Sequence, residues 1–234
     1  MSNLISNAAV ESYKNSKTAG RAIIESLNLS NLLDMNFSNA AVVPLTTHPT
    51  AFYIRQDWKN KHRSIKVFNG AGEQVYTFER LSPTNPVWRM LTFPQRREIA
   101  TIKISLFEKS INFHNKPGLA HRCVSKDWNM RGRHRSFYLN DGAKYSWSST
   151  TKFLEKIMNP SNGPDEQRVR VAKVKLMRQF KLDFEVLVDE SKIDAEVVLA
   201  TALISIFTQW GIGDFTDTIG ATFIPDANTQ SVNA

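Results

Sequence analysis

Residues 197–210 are apolar on every side a helix can present. Val197, Val198, Leu199, Ala200, Ala202, Leu203, Ile204, Ile206, Phe207 and Trp210 leave no polar stripe. A helix of that kind must be enclosed, by protein or by lipid. Ser191-Lys192-Ile193-Asp194 reads as its opening box, with Ser191 as the cap and Asp194 at the third position. Gly211 and Gly213 stop it. At about 1.5 Å per residue the helix spans roughly 21 Å, short of a hydrocarbon core of about 30 Å. No window reaches the roughly 18–20 apolar residues of a membrane span. No transmembrane span is expected, so the rest of the chain has to build the container.

That remainder reads as strands. From Ala51 the apolar period is two: Phe52 and Ile54, then Ile65 and Val67, share a face. Asn69-Gly70-Ala71-Gly72 and Asn140-Asp141-Gly142 are tight-turn signals between alternating runs. Residues 74–81, 87–93, 97–107, 110–114, 135–140, 144–149, 152–158, 167–178 and 182–188 complete the set, and 114–133 reads as a loop broken by Pro117 and Gly118. Trp88 and Trp147 fall within strands and are expected in the core. The fold class is mainly β: an antiparallel barrel of about ten to twelve strands enclosing the apolar helix at about 192–210. Three stretches are expected: a weakly ordered extension over 1–50, the barrel over 51–213 and a flexible tail over 214–234. Residues 4–13 and 19–27 have the pattern of short helices within the extension.

Charge is distributed unevenly. Residues 1–50 are balanced, residues 51–181 carry 26 basic against ten acidic groups, and residues 182–234 carry one basic against nine acidic. Three basic runs stand out. Arg55, Lys59, Lys61, His62, Arg63 and Lys66 surround Trp58; Arg122, Lys126, Arg131, Arg133, His134 and Arg135 surround Trp128; Arg168, Arg170, Lys173, Lys175, Arg178 and Lys181 form the third. Lysine and arginine attract phosphate, arginine also bidentately, and a neighbouring tryptophan suits a headgroup interface or a base stack. Lys59, Lys61 and Arg63 share a parity, as do Arg131, Arg133 and Arg135, so each triplet faces one way if extended. These six are the expected phosphate-binding residues. The plainer reading is that the runs are solvated strand faces whose charges discourage edge-to-edge association.

Catalytic signatures are absent: there is no GxSxG, GxxxxGK[ST], GxGxxG or HExxH. The single cysteine, Cys123, excludes an internal disulfide and cysteine-rich zinc sites. His114, His121 and Cys123 lie close in sequence but lack a further ligand for a metal. No enzyme activity, no cofactor and no metal are expected. Residues 1–13 lack the basic and apolar regions of a secretory signal, so a cytoplasmic protein, peripheral to a membrane or nuclear, is expected.

Residues 136–147, which contain Gly142-Ala143-Lys144-Tyr145-Ser146-Trp147, resemble the Gly-x-x-Tyr-x-Trp hairpin of the tubby C-terminal superfamily. That superfamily joins the tubby-like, LURP-one-related and phospholipid scramblase proteins. Val171-Ala172-Lys173-Val174, Leu182-Asp183-Phe184-Glu185-Val186 and the helix follow in the order of a fungal branch whose function is uncharacterised. The resemblance covers about residues 50–210. It implies a barrel around a C-terminal helix, and a non-enzymatic binding or adaptor role toward anionic phosphates such as a phosphoinositide headgroup or a membrane surface. The same basic face also suits a nucleic-acid-binding module. A scramblase-like membrane protein would need the short helix to insert in lipid.

Overall fold

The structure, a computed structural model, describes residues 42–210 apart from 57–63, 83, 106, 130–131, 161–165 and 178–182; for 128, 129, 132 and 133 only the backbone is described. The expectations for 1–41 and 214–234 lie outside the described residues.

Strand formation begins where the two-residue period begins. β2 (Thr50–Gln56) buries Phe52 and Ile54, and β3 (Ser64–Asn69) buries Ile65 and Val67 on the same side. The Asn69 side chain ties the following turn, accepting from the Ala71 and Glu73 amides at 3.0 and 2.9 Å, while Gly72 takes φ +83°. A positive φ of this kind is the reason a glycine sits there. β4 (Gln74–Glu79), β5 (Val87–Thr92), β6 (Glu98–Ile104) and β7 (Lys109–Phe113) continue the meander, each antiparallel to the one before.

On the other flank β14 (Asp183–Val188) pairs antiparallel with β2. β13 (Gln167–Leu176), β12 (Phe153–Met158), β11 (Lys144–Ser148) and β10 (Gly132–Tyr138) follow in spatial order. Gly142, at φ +71°, closes the β10–β11 hairpin. β1 (Val42–Val43) runs parallel to β13 beside Arg168 and Val169, a stretch of β13 that β14 does not reach. The barrel therefore recruits residues just before the expected start at 51.

Closure comes from a segment expected to be a loop. β8 (Arg122–Cys123) pairs with β7, and β9 (Ser125–Asn129) pairs with β10, with only Val124 between them. One bent stretch thus joins the two edges of the path β8-β7-β6-β5-β4-β3-β2-β14-β13-β12-β11-β10-β9. The sheet is thereby nearly closed, which leaves little edge for another chain to pair with. The stretch escapes period-two reading because Arg-Cys-Val-Ser-Lys-Asp-Trp-Asn is polar at the seam, where hydrogen bonding rather than burial holds it. The described strands number fourteen, two of them only two residues long at β1 and β8.

The container holds α1 (Ala195–Thr208). Every residue from Val197 to Phe207 is buried, including Thr201 and Ser205. Thr201 is satisfied by donating to the Val197 carbonyl at 2.8 Å, and it accepts the Trp147 indole N–H at 3.1 Å. Trp88 stacks on Phe207, with ring centroids 5.3 Å apart. Both strand tryptophans are thus core residues. The cap is Asp194, whose carboxylate accepts the Glu196 amide at 2.8 Å. Ser191 instead donates to Asp189 at 2.6 Å in the turn before it. Asp194 wins because the chain needs the 189–193 turn to pass from the end of β14 to the barrel axis.

Candidate functional site: the basic end of the barrel

Strand directions sort the molecule into two ends. β14 delivers the chain to the start of α1, and α1 crosses the barrel to Thr208. The connections β2–β3, β4–β5, β6–β7, β9–β10, β11–β12 and β13–β14 lie at the end where the helix finishes, called here the exit end. The described ends flanking three of the basic stretches are Gln56 and Ser64, Asn129 and Gly132, and Met177 and Asp183. All of these belong to the exit end. Lys59, Lys61, Arg63 and Arg131 lie outside the described residues, as do Trp58, Arg178 and Lys181. Of Arg133 only the backbone pairing with Trp128 is described.

Arg135 is brought somewhere other than the outer surface. It is buried and faces the axis, donating from Nε to Thr208 Oγ1 at 3.1 Å and from Nη2 to the Thr208 carbonyl at 3.4 Å. A cation at a helix C-terminus complements the dipole and the free carbonyls. Gln209 and Trp210 finish the cap, donating to the Trp147 and Ser148 carbonyls, each at 3.1 Å. Arg80 lies over the Trp88 ring at 4.7 Å, and burial pushes its guanidinium down to about 10.

The other described cations of this end are crowded. Burial, then the charges of Arg135 and Lys126, hold the Lys109 ammonium below its ordinary value. Burial, then Lys175, Arg170 and Lys152, do the same to Lys173. Lys152, at φ +57° in the β11–β12 connection, is lowered by burial. Arg170 and Lys173 flank the Phe153 ring at 4.1 and 4.4 Å. Like charges held this close favour an anion between them.

The basic runs are not uniformly available. Arg168 is buried between Glu155 and Glu166, each 2.9 Å away, and serves the β12–β13 pairing. Arg55 meets Asp183 at 3.4 Å, and Lys175 meets Glu185 at 3.0 Å. Arg122 turns to the opposite end, donating to the Gly118 carbonyl and the Asn140 side chain. That opposite end holds Glu190, Asp194 and Glu196 around the helix start, with Lys116 bridging Asp194 and Glu196 at 2.6 and 2.8 Å.

The sequence places His121 two residues from Cys123 but gives no sign of their third member, Asn112. Cys123 Sγ lies 3.4 Å from His121 Nε2, and His121 Nδ1 lies 2.6 Å from Asn112 Oδ1. The order thiol, imidazole, amide is the arrangement that activates a nucleophile, but Cys123 and His121 sit on the exposed outside of the barrel. Only the pairing of β8 with β7 brings Asn112 to them. Among the described residues no group of three or more His, Cys, Asp or Glu side chains is placed to hold a metal. No described helix is long and apolar enough to cross a membrane.

No family model matches the chain, and no curated protein matches it. Among solved structures, the X-ray structure of a protein from Arabidopsis thaliana is similar over 67% of this chain and 91% of its own, at 12% identity and a TM-score of 0.41.

Proposed function

We propose that this protein is a non-enzymatic binding or adaptor domain that recognises anionic phosphates on a membrane surface through the exit end of its barrel. The observation that carries the reading is the gathering of Lys103, Lys109, Lys126, Lys152, Lys173 and Lys175 at the end whose flanking strands also lead into the stretches with Lys59, Lys61, Arg63, Arg131 and Arg133. The depressed Lys109 and Lys173 add to it, because crowded cations gain most from a shared anion. The resemblance of the Gly142–Trp147 hairpin to the tubby C-terminal superfamily points the same way, since tubby proteins hold a phosphoinositide headgroup on basic barrel residues. On this reading α1 is a core element and carries no lipid, and Arg135 supports the helix end behind the recognition residues.

Sedimentation of the full chain with vesicles tests the reading. Binding is expected to phosphatidylcholine vesicles containing phosphatidylserine or a phosphoinositide, not to phosphatidylcholine alone, and to weaken with salt. Each basic contact at such a surface contributes about 1 kcal/mol, so changing Lys59, Lys61 and Arg63 to Gln lowers affinity roughly a hundredfold. Protein that ignores anionic vesicles at low ionic strength, or that leaves them for single-stranded nucleic acid in competition, overturns the membrane assignment. The second outcome makes the domain a nucleic-acid module.

A further inference from the structure

Two connections at the exit end hold large apolar side chains out in solvent. Phe107, in the β6–β7 turn, is 90% exposed, and Leu81, in the β4–β5 connection, is 72% exposed. Neither turn is slack. In the β6–β7 turn the Ser105 hydroxyl donates to the Glu108 carbonyl at 2.9 Å and accepts the Glu108 amide at 3.0 Å. In the other, Asn85 donates its amide to the Ser82 carbonyl at 3.2 Å, and Arg80, next to Leu81, is anchored over Trp88. The feet of the two connections are joined, because Ile104 donates its amide to the Pro86 carbonyl at 2.8 Å. Further round the same rim, at the β13–β14 connection, Leu176 and Met177 are 39% and 50% exposed.

Cations border the Phe107 tip. Lys109 donates to the Ser105 carbonyl at 2.9 Å, at the base of the Phe107 turn, and Lys103 meets Glu108 at 2.5 Å on its other side. The opposite end also exposes aromatic rings, Phe93 at 45% and Tyr138 at 52%. There, however, the helix start brings Glu190, Asp194 and Glu196, which offset the cations of that end. Apolar tips among lysines match the two layers a bilayer offers, headgroups outside and acyl chains within. We propose that the barrel stands end-on on an anionic bilayer, with Phe107 and Leu81 inserted at the headgroup–acyl boundary and the flanking lysines against lipid phosphates. This rests on the anionic-surface reading above and adds an orientation and an apolar anchor to it.

The experiment labels full-length protein with an environment-sensitive fluorophore. Cys123 is the only cysteine and is exposed, so Cys123→Ser gives a clean background for Phe107→Cys and, at the opposite end, Phe93→Cys. Vesicles of phosphatidylcholine with phosphatidylserine are expected to shift emission to the blue at position 107 and leave position 93 unchanged. In unlabelled protein, Leu81→Ser with Phe107→Ser is expected to keep the thermal unfolding curve and to bind these vesicles roughly tenfold more weakly. A shift at 93, or vesicle binding with no shift at 107 and undiminished binding by the double variant, overturns the inference and leaves the anionic-surface reading standing. Absence of any vesicle binding by the parent protein removes that reading, and the inference with it.

Discussion

On β10 the guanidinium of Arg135 is turned into the barrel, and its two hydrogen bonds to Thr208 finish the helix that the barrel encloses. Parity alone groups Arg135 with Arg131 and Arg133; the closed sheet makes that parity the inner one at position 135. Burial lowers the Arg135 guanidinium, so the charge is held there at a cost that the helix C-terminus offsets. Arg135→Met keeps much of the volume and removes the donors. It is expected to lower the urea midpoint by the equivalent of about 1–3 kcal/mol, with Arg135→Lys intermediate because it keeps charge without the planar fork. An unchanged midpoint would remove Arg135 from the helix cap. A consequence for binding studies is that neutralising Arg131, Arg133 and Arg135 together mixes a surface effect with a core one; Arg135 is best left in place. Gly142, at φ +71° with nothing within 4 Å of an added Cβ, is limited by backbone conformation alone. Gly142→Ala is expected to cost about 1–2 kcal/mol in the same measurement.

At the scale of elements, α1 and the strand tryptophans form one unit. Trp147 binds Thr201 of the helix through its indole, Trp88 stacks on Phe207, and Trp210 meets Trp147 edge-on with centroids 5.4 Å apart. Leu203 is fully buried at the middle of this arrangement. Leu203→Asp puts a charge in the fully buried interior, at a cost of several kcal/mol. Loss of cooperative unfolding and of near-ultraviolet circular dichroism is the expected result, and a soluble variant with a native melt would refute the enclosed helix. The polar closure at β8–β9 explains why these two strands went unread. Its residues are selected for pairing across the seam between β7 and β10, and period-two burial does not act on them.

At the scale of the whole molecule the charge is polar along the barrel axis, and the acidic side sets the response to pH. Three aspartates, Asp141 and Asp189 at the entry end and Asp127 in β9, lie below the usual carboxylate range. Burial pushes Asp127 up, but Lys144 and Ser136 more than offset it. Burial likewise raises Asp141 against Lys156, Tyr145 and the Ala143 amide, and raises Asp189 against Lys192 and Ser191. Their folded values are depressed, so the stability they contribute is complete above the unfolded aspartate value near about 4 and drains as pH falls through the folded values. Urea midpoints are expected to be flat from about pH 7 to 5 and to fall steeply below about 4. A midpoint that holds or rises into acid would mean these pairs contribute nothing net.

The local code determined what local physics controls. The helix at 195–208 had to be enclosed because no face of it tolerates water, and the strands had to alternate because Phe52, Ile54, Ile65 and Val67 recur at every second position. The turn residues Asn69 and Gly142 set the hairpins for the same local reason. Tertiary structure decided everything that depends on which end of a strand a residue occupies. It split the third basic run, burying Arg168 between two carboxylates while leaving Lys173 and Lys175 at the exit rim. It turned Arg135 inward and put Leu81 and Phe107, 26 residues apart in the chain, on connections at the same end of the barrel. Spacing along a chain carries face and period; convergence of distant loops is set by strand order and by closure of the sheet, which arise only when the two halves of the barrel meet along β2 and β14 and along the β8–β9 seam.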